Sequence, residues 1–122
     1  MITRSAEMPQ EDREHMRGGQ GSVTVAHWFT PEAFGAGVRL CARLTLEPGS
    51  SIGSHAHEKE DEIYLVLAGS GQIEENGTWV PIQAGDAILT GKGGTHSVMN
   101  TGREPLEIAA IILPYPEAKP QT

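Results

Sequence analysis

The sequence predicts an all-β fold, a barrel or sandwich of eight to ten short antiparallel strands, and three observations carry that expectation. Glycine is frequent, 15 residues of 122, and together with 8 prolines it is scattered along the chain rather than clustered. Scattered breakers mark many tight turns between short elements. Several segments alternate apolar and polar residues with a period of two, and no segment in the body of the chain has the 3.6-residue period of a confident helix. Asn76-Gly77 lies between two such segments, the strongest short-range signal for a hairpin.

The elements follow in order. Residues 1–20 are polar and charged (Glu7, Glu11, Asp12, Arg13, Glu14, Arg17) and run into Gly18-Gly19-Gln20-Gly21. They are expected to form an N-terminal arm, either a short helix or a mobile or partner-clasping segment. The barrel is expected over 21–113. Val23–Phe29 is β-branched and aromatic and is closed by Thr30-Pro31. From Val38 to Leu46 the apolar residues Val38, Leu40, Ala42, Leu44 and Leu46 share one face, and Arg39, Cys41, Arg43 and Thr45 the other. Glu62–Ala68 is apolar on both faces after its first residue, which predicts a central strand covered on both sides. Gly69-Ser70-Gly71 breaks it, and the hairpin strands Gln72–Glu75 and Thr78–Ile82 follow. Ala87–Thr90, His96–Asn100 and Leu106–Leu113 complete the set, and Pro114, Pro116 and Pro120 mark a non-strand tail over 114–122. No internal repeat is present, so a single barrel is expected.

Nine Lys and Arg against sixteen Asp and Glu give a net charge of −7. That balance argues against a nucleic-acid partner, which needs clustered cations, and against an anionic membrane surface. The longest apolar runs, Ile63–Ala68 and Ile108–Leu113, are too short to span a bilayer. No apolar stretch follows Arg4 at the N-terminus, so no secretory signal is expected. Cys41 is the single cysteine, which excludes an intrachain disulfide and fits a reducing, cytoplasmic location.

Four residues have the spacing of a metal site. His55 and His57 stand two apart, so in an extended segment both imidazoles face the same way. Glu62 opens the apolar strand and shares its face with Tyr64, Val66 and Ala68, the face that should line the interior. His96, on a later strand, closes the site only if the sheet curls back. Three imidazoles and a carboxylate suit one divalent transition metal (Mn, Fe, Co, Ni, Cu or Zn) and are too nitrogen-rich for Ca or Mg.

The pattern Gly49-x5-His55-x-His57-x4-Glu62-x6-Gly69 resembles the first cupin motif, and Gly85-x5-Gly91-x-Gly93-x2-His96-x3-Asn100 the second, fifteen residues apart. The resemblance to small single-domain metal-binding cupins implies a double-stranded β-helix, or jelly-roll barrel. It also implies that His55, His57, Glu62 and His96 ligate the metal, and it suggests a homodimer. The family usually has proline at Gly91, which makes the loop before His96 looser here. The glycines Gly49, Gly69, Gly85 and Gly93 are placed at strand reversals, and Asn100 is read as a turn-stabilising hydrogen-bonder rather than a ligand.

Other candidates take plainer readings. Glu58, Glu60 and Asp61 are read as a solvated turn rather than a cation-attracting rim. His27 is read as a structural histidine rather than a fifth ligand, and His15 as an exposed residue of the arm. Cys41 is read as a small core hydrophobe rather than a nucleophile. Arg39 and Arg43 would bind a carboxylate or phosphate if their face were the interior, and are ordinary surface charges if it is the outer face, the reading preferred.

Four protein ligands leave a coordination position for a small-molecule ligand or substrate. The expected function is therefore a metal-dependent enzyme on a small oxygen-rich organic substrate, of oxygenase, decarboxylase or isomerase type, with Tyr64 a candidate proton donor. The alternatives are a non-catalytic module that binds or senses a metal and small ligand, and a structural dimer with a structural metal.

Overall fold

The computed structural model describes residues 1–117, which form ten antiparallel strands in two facing sheets, with no α-helix. The strands are β1 (Gln10–Glu14), β2 (Ser22–His27), β3 (Leu40–Leu46), β4 (Ser51–Ala56) and β5 (Glu60–Ala68). They continue as β6 (Ser70–Glu75), β7 (Thr78–Gln83), β8 (Ala87–Thr90), β9 (Thr95–Met99) and β10 (Leu106–Pro114). One sheet has the order β1-β2-β3-β10-β5-β8 and the other β4-β9-β6-β7. This is the all-β architecture that the alternation and the scattered breakers predict, in the jelly-roll form that the resemblance implies.

Alternation decides which side chains meet between the sheets. Val23 and Val25, then Ala42, Leu44 and Leu46, then Leu106, Ile108 and Ala110 project from one sheet, and Ile52, Ile73, Ile82 and Val98 from the other. All are buried. Polar partners on each strand stay outside, so a one-residue slip would turn the whole apolar set to solvent. At the hairpin, Asn76 and Gly77 have φ of 50° and 91° between the paired residues Glu75 and Thr78. A two-residue turn with both central residues left-handed matches the twist of its strands.

Four features depart from the sequence expectation. First, β1 forms within the polar segment and pairs with β2, although all five of its side chains are exposed. Second, β4 carries His55 and leads into His57, but had no alternation to announce it. A register shift between Ile52 and His55 breaks its pairing with β9, so residues three apart both face inward. Third, β5 is covered on one face only: Leu65 and Leu67 on its outer face are 40% and 46% exposed, and Leu89 of β8 is 67% exposed. Fourth, β10 runs through Pro114. The Tyr115 amide then bonds the Lys59 carbonyl, and its hydroxyl donates to Asp61 and accepts from the Lys92 amide. The rest of the expected Pro-rich tail, 118–122, lies outside the described residues.

That network explains the glycine where the family usually has proline. A Cβ at position 91 would overlap Asp61 Oδ1 and crowd the Tyr115 hydroxyl. Gly91 leaves the space that Asp61 and Tyr115 occupy.

Candidate metal centre

The site lies at one end of the space between the sheets, and each side chain reaches it by a local cause. The bulge in β4 aims His55 inward, directly opposite His96 of β9 in the strand register. His57 follows β4 and is held at both backbone atoms, its amide donating to Gly94 and its carbonyl accepting from Gly93. Glu62 comes from the other sheet on the inner face of β5, opposite Thr90 of β8. His57, Glu62 and His96 are buried, at 2%, 3% and 1% exposure.

The four side chains offer ligand atoms that all lie within 4.8 Å of one another. His57 Nε2 and His96 Nε2 stand 2.9 and 3.0 Å from Glu62 Oε1, and His96 Nε2 lies 3.0 Å from both His57 Nε2 and His55 Nε2. The opposite ring nitrogens determine what those atoms carry. His55 Nδ1 donates to the Gly53 carbonyl at 2.8 Å, and His57 Nδ1 donates to Glu60 Oε1 at 3.1 Å. His96 Nδ1 lies 3.0 Å from the Thr90 hydroxyl, whose own proton goes to Glu75 Oε1 at 3.4 Å. With each proton held on Nδ1, three Nε2 lone pairs and a buried carboxylate oxygen converge on one point. Without a cation these groups repel one another; one divalent ion satisfies all four, so the donor set fits a metal.

The electrostatics agree. Burial, chiefly, and the neighbouring His96 and His57 push His55 down to about 4. It is therefore neutral near pH 7, as a ligand must be. Stability should follow. The unfolded chain takes up this proton near 6.5 and the folded chain only near 4, so the unfolded state binds more protons between those values. The melting temperature of metal-stripped protein should be level above pH 7 and fall as pH drops from 6.5 towards 4. His55→Asn should flatten the upper part of that fall, from pH 6.5 to 5, before most carboxylates titrate. A level profile in the wild type would refute the assignment.

Glu60 was expected in a solvated turn, and the structure corrects this. It accepts from Arg39 Nε and Nη2, both at 2.8 Å, and from His57 Nδ1. The Arg39 guanidinium, foremost, holds its carboxyl down at about 2. Arg39, Glu60 and His57 thus form a chain from the protein surface to a ligand atom. The preferred outer-face reading fails for Arg39, which borders the cavity above the site. Arg43 does lie on the outer side of its sheet, in register with Ala26 and Ala109, but it is half-buried with its Nε enclosed rather than an ordinary surface charge.

Tyr64 lies beside the cluster, where the sequence places it. It is buried and stacks on His96 with ring centroids 4.8 Å apart and planes 14° apart. Burial and then Glu62 push its phenol well above the usual value, so it keeps its proton. His27 is half-buried at the cavity wall and outside the cluster. His15 is exposed, with Nδ1 against the Gly19 carbonyl. Cys41 is half-buried on the outer face of β3 rather than in the core, and burial raises its thiol, so it is not an activated nucleophile. Asn100 does what the sequence suggests, donating to the Leu46 and Glu104 carbonyls and accepting from the Gly102 amide.

A cavity of about 130 Å³ opens onto the cluster. Leu40, Leu44 and Ile112 give it an apolar lining, and the solvent-exposed Arg13, Arg17 and Arg39 border it. Liquid water occupies about 30 Å³ per molecule, so the space suits a ligand of a few heavy atoms and is far below the size of drug-like pockets.

Comparison with known proteins agrees with this geometry. The cupin-domain family matches residues 42–112. An oxalate-binding protein of Thermotoga maritima is 48% identical over 113 residues, covering 93% of each chain. A crystal structure described as a predicted oxalate decarboxylase from Thermotoga maritima superposes with a TM-score of 0.89 at 47% identity, covering 93% of this chain and 99% of that one. The structure of KdgF from Halomonas sp. has a TM-score of 0.71 at 18% identity, covering 92% and 94%, and shares the fold. The chain belongs to the cupin-domain family.

Proposed function

We propose that the protein holds one divalent transition metal through His55, His57, Glu62 and His96 and binds a small dicarboxylate of the oxalate class in the cavity beside it. The observation that supports this most is the cavity itself: about 130 Å³, a cluster of metal-ligand type at its floor, and three arginines bordering it. In a chain of net charge −7 with nine Lys and Arg, a third of the cations gathered at one cavity favours an anionic ligand. The 48% identity to an oxalate-binding protein over nearly the whole chain supports the same ligand.

The metal, when bound, supplies a Lewis acid for carboxylate oxygens. The remaining work belongs to the chain. Glu60 and Thr90 keep His57 and His96 in the ligating tautomer. Leu40, Leu44 and Ile112 exclude water from one side of the ligand, which strengthens every charge interaction within the cavity. The open cavity beside the cluster supports this reading over a purely structural metal, whose coordination would be closed. Calorimetric titration of metal-loaded protein with oxalate is expected to show saturable 1:1 binding that metal removal abolishes. Absence of binding would overturn the ligand assignment.

A second reading, decarboxylation, is favoured by Tyr64. Cleavage of the oxalate carbon–carbon bond yields carbon dioxide and formate, and the formate carbon needs a proton. Tyr64, protonated and facing the cavity, is a donor within the site. Formate release lost in Tyr64→Phe, with oxalate binding kept, would support turnover. The candidate surface for the homodimer is the outer face of β5 and β8, where Leu65, Leu67 and Leu89 are exposed.

A further inference from the structure

We infer that the turn from His15 to Gly21 is a fixed cap over the cavity, and that Arg17 on it is the specificity-determining cation for the ligand carboxylate that points away from the metal. The inference rests on the dicarboxylate reading above and adds to it a residue and a reason for preferring two carboxylates over one.

The turn is built to hold one shape. His15, Arg17, Gly18 and Gly21 have φ of 51°, 54°, 82° and 63°. Left-handed conformation at two residues with side chains persists only where the surroundings enforce it. Here they do. A Cβ on Gly19 would overlap the Ser51 carbonyl, and a Cβ on Gly53 would overlap the Arg17 carbonyl, so the backbones of the turn and of β4 lie directly against each other. The Gln20 carbonyl accepts from the Ser51 amide, and the Gln20 amide donates to the Ser51 hydroxyl. The His15 amide and the Gly21 carbonyl close the loop at 2.9 Å. Met16 beside them packs against the core. Through β4 the turn is fixed to the same strand that carries His55.

The three arginines bordering the cavity are not equivalent. Arg39 is held by both oxygens of Glu60, and Arg13 is paired with Glu11. Arg17 forms no ion pair among the described residues, and it borders the same cavity as His55, His57, Glu62 and Tyr64. An unpaired arginine on a rigid turn, bordering the same small cavity as the metal cluster, is complementary to an anion with two charged ends. Its fork can take a carboxylate through two parallel hydrogen bonds.

The test uses the full chain loaded with Co(II), whose visible spectrum reports the state of the metal site and any stripping of the ion by the titrant. Oxalate and acetate are titrated into wild type, Arg17→Gln and Arg17→Lys. The expected result is an unchanged Co(II) spectrum in the three ligand-free proteins. Oxalate affinity should fall about tenfold to a hundredfold in Arg17→Gln, as for loss of a charge-assisted bidentate contact. Arg17→Lys should recover part of it, and acetate should bind all three alike. Equal oxalate affinity in wild type and Arg17→Gln would overturn the inference and leave the dicarboxylate reading intact. A parallel fall for acetate and oxalate would also overturn it, since Arg17 would then supply only general attraction. Wild type that binds acetate and not oxalate would remove the dicarboxylate reading and the inference together.

Discussion

His96→Ala should lower metal affinity by more than about 100-fold, beyond the 10–100-fold range for losing a supporting partner, because it removes one of four converging donors. His96 is the residue whose Nε2 lies 3.0 Å from Glu62 Oε1 and from both other imidazole nitrogens. Protein saturated with metal at a thousand times its dissociation constant gains about 4 kcal/mol, of the order of 10 °C in melting temperature for a domain of this size. The variant should lose about two thirds of that metal-dependent rise or more. Truncation also leaves a hole against the Tyr64 ring, and cavities of this kind cost about 2–5 kcal/mol. In stripped protein part of that cost is offset, because one of the mutually repelling lone pairs is gone. The metal-induced shift therefore separates the two effects: differential scanning fluorimetry with and without added metal should give a large shift in wild type and about a third of it or less in His96→Ala. An equal shift in both would remove His96 from the metal site.

Glu60→Gln should lower metal affinity about 10–100-fold without touching a ligand. Glutamine can still accept the His57 Nδ1 proton, so the imidazole keeps its orientation. What disappears is the negative charge that makes His57 a more basic donor, together with the ion pair to Arg39. Arg39→Ala should cost less, since its guanidinium is half exposed and solvent screens it. Competition with a chromophoric chelator measures each affinity. Weakening greater for Arg39→Ala than for Glu60→Gln would contradict the direction of the chain, from surface to ligand.

The metal cluster was legible in the sequence because it depends on spacing. Residues two apart in extended chain share a face, which places His55 with His57 and Glu62 with Tyr64. The inward face of β3 was legible for the same reason, from the alternation of Leu40, Ala42, Leu44 and Leu46. What escaped depends on tertiary register or on backbone contacts. In the run Glu58-Lys59-Glu60-Asp61, all four residues look like solvent-facing charge, and only the approach of Arg39 and His57 sets Glu60 apart. The strand β1 has no apolar face; it pairs with β2 through the backbone ladder and a polar contact from the Thr24 hydroxyl to Asp12, and leaves no alternation to read. In β4 the bulge shifts the phase between Ile52 and His55, which hides the strand from a period-two search. The outer face of β5 reads as buried because Ile63, Leu65 and Leu67 are apolar, yet no second layer among the described residues covers Leu65 and Leu67. The cap bearing Arg17 left only one trace, the cluster Gly18-Gly19-Gln20-Gly21, which fits a mobile arm equally well.

The central claim is that His55, His57, Glu62 and His96 hold one metal ion, and elemental analysis of untagged protein tests it most directly. Protein should carry close to one transition-metal ion per chain as purified, or take one up per chain after stripping, with its melting temperature rising as the site fills. Protein that contains no metal and takes none up on titration with Mn, Fe, Co, Ni, Cu or Zn would contradict the claim, and the converging imidazoles would then be scaffold alone.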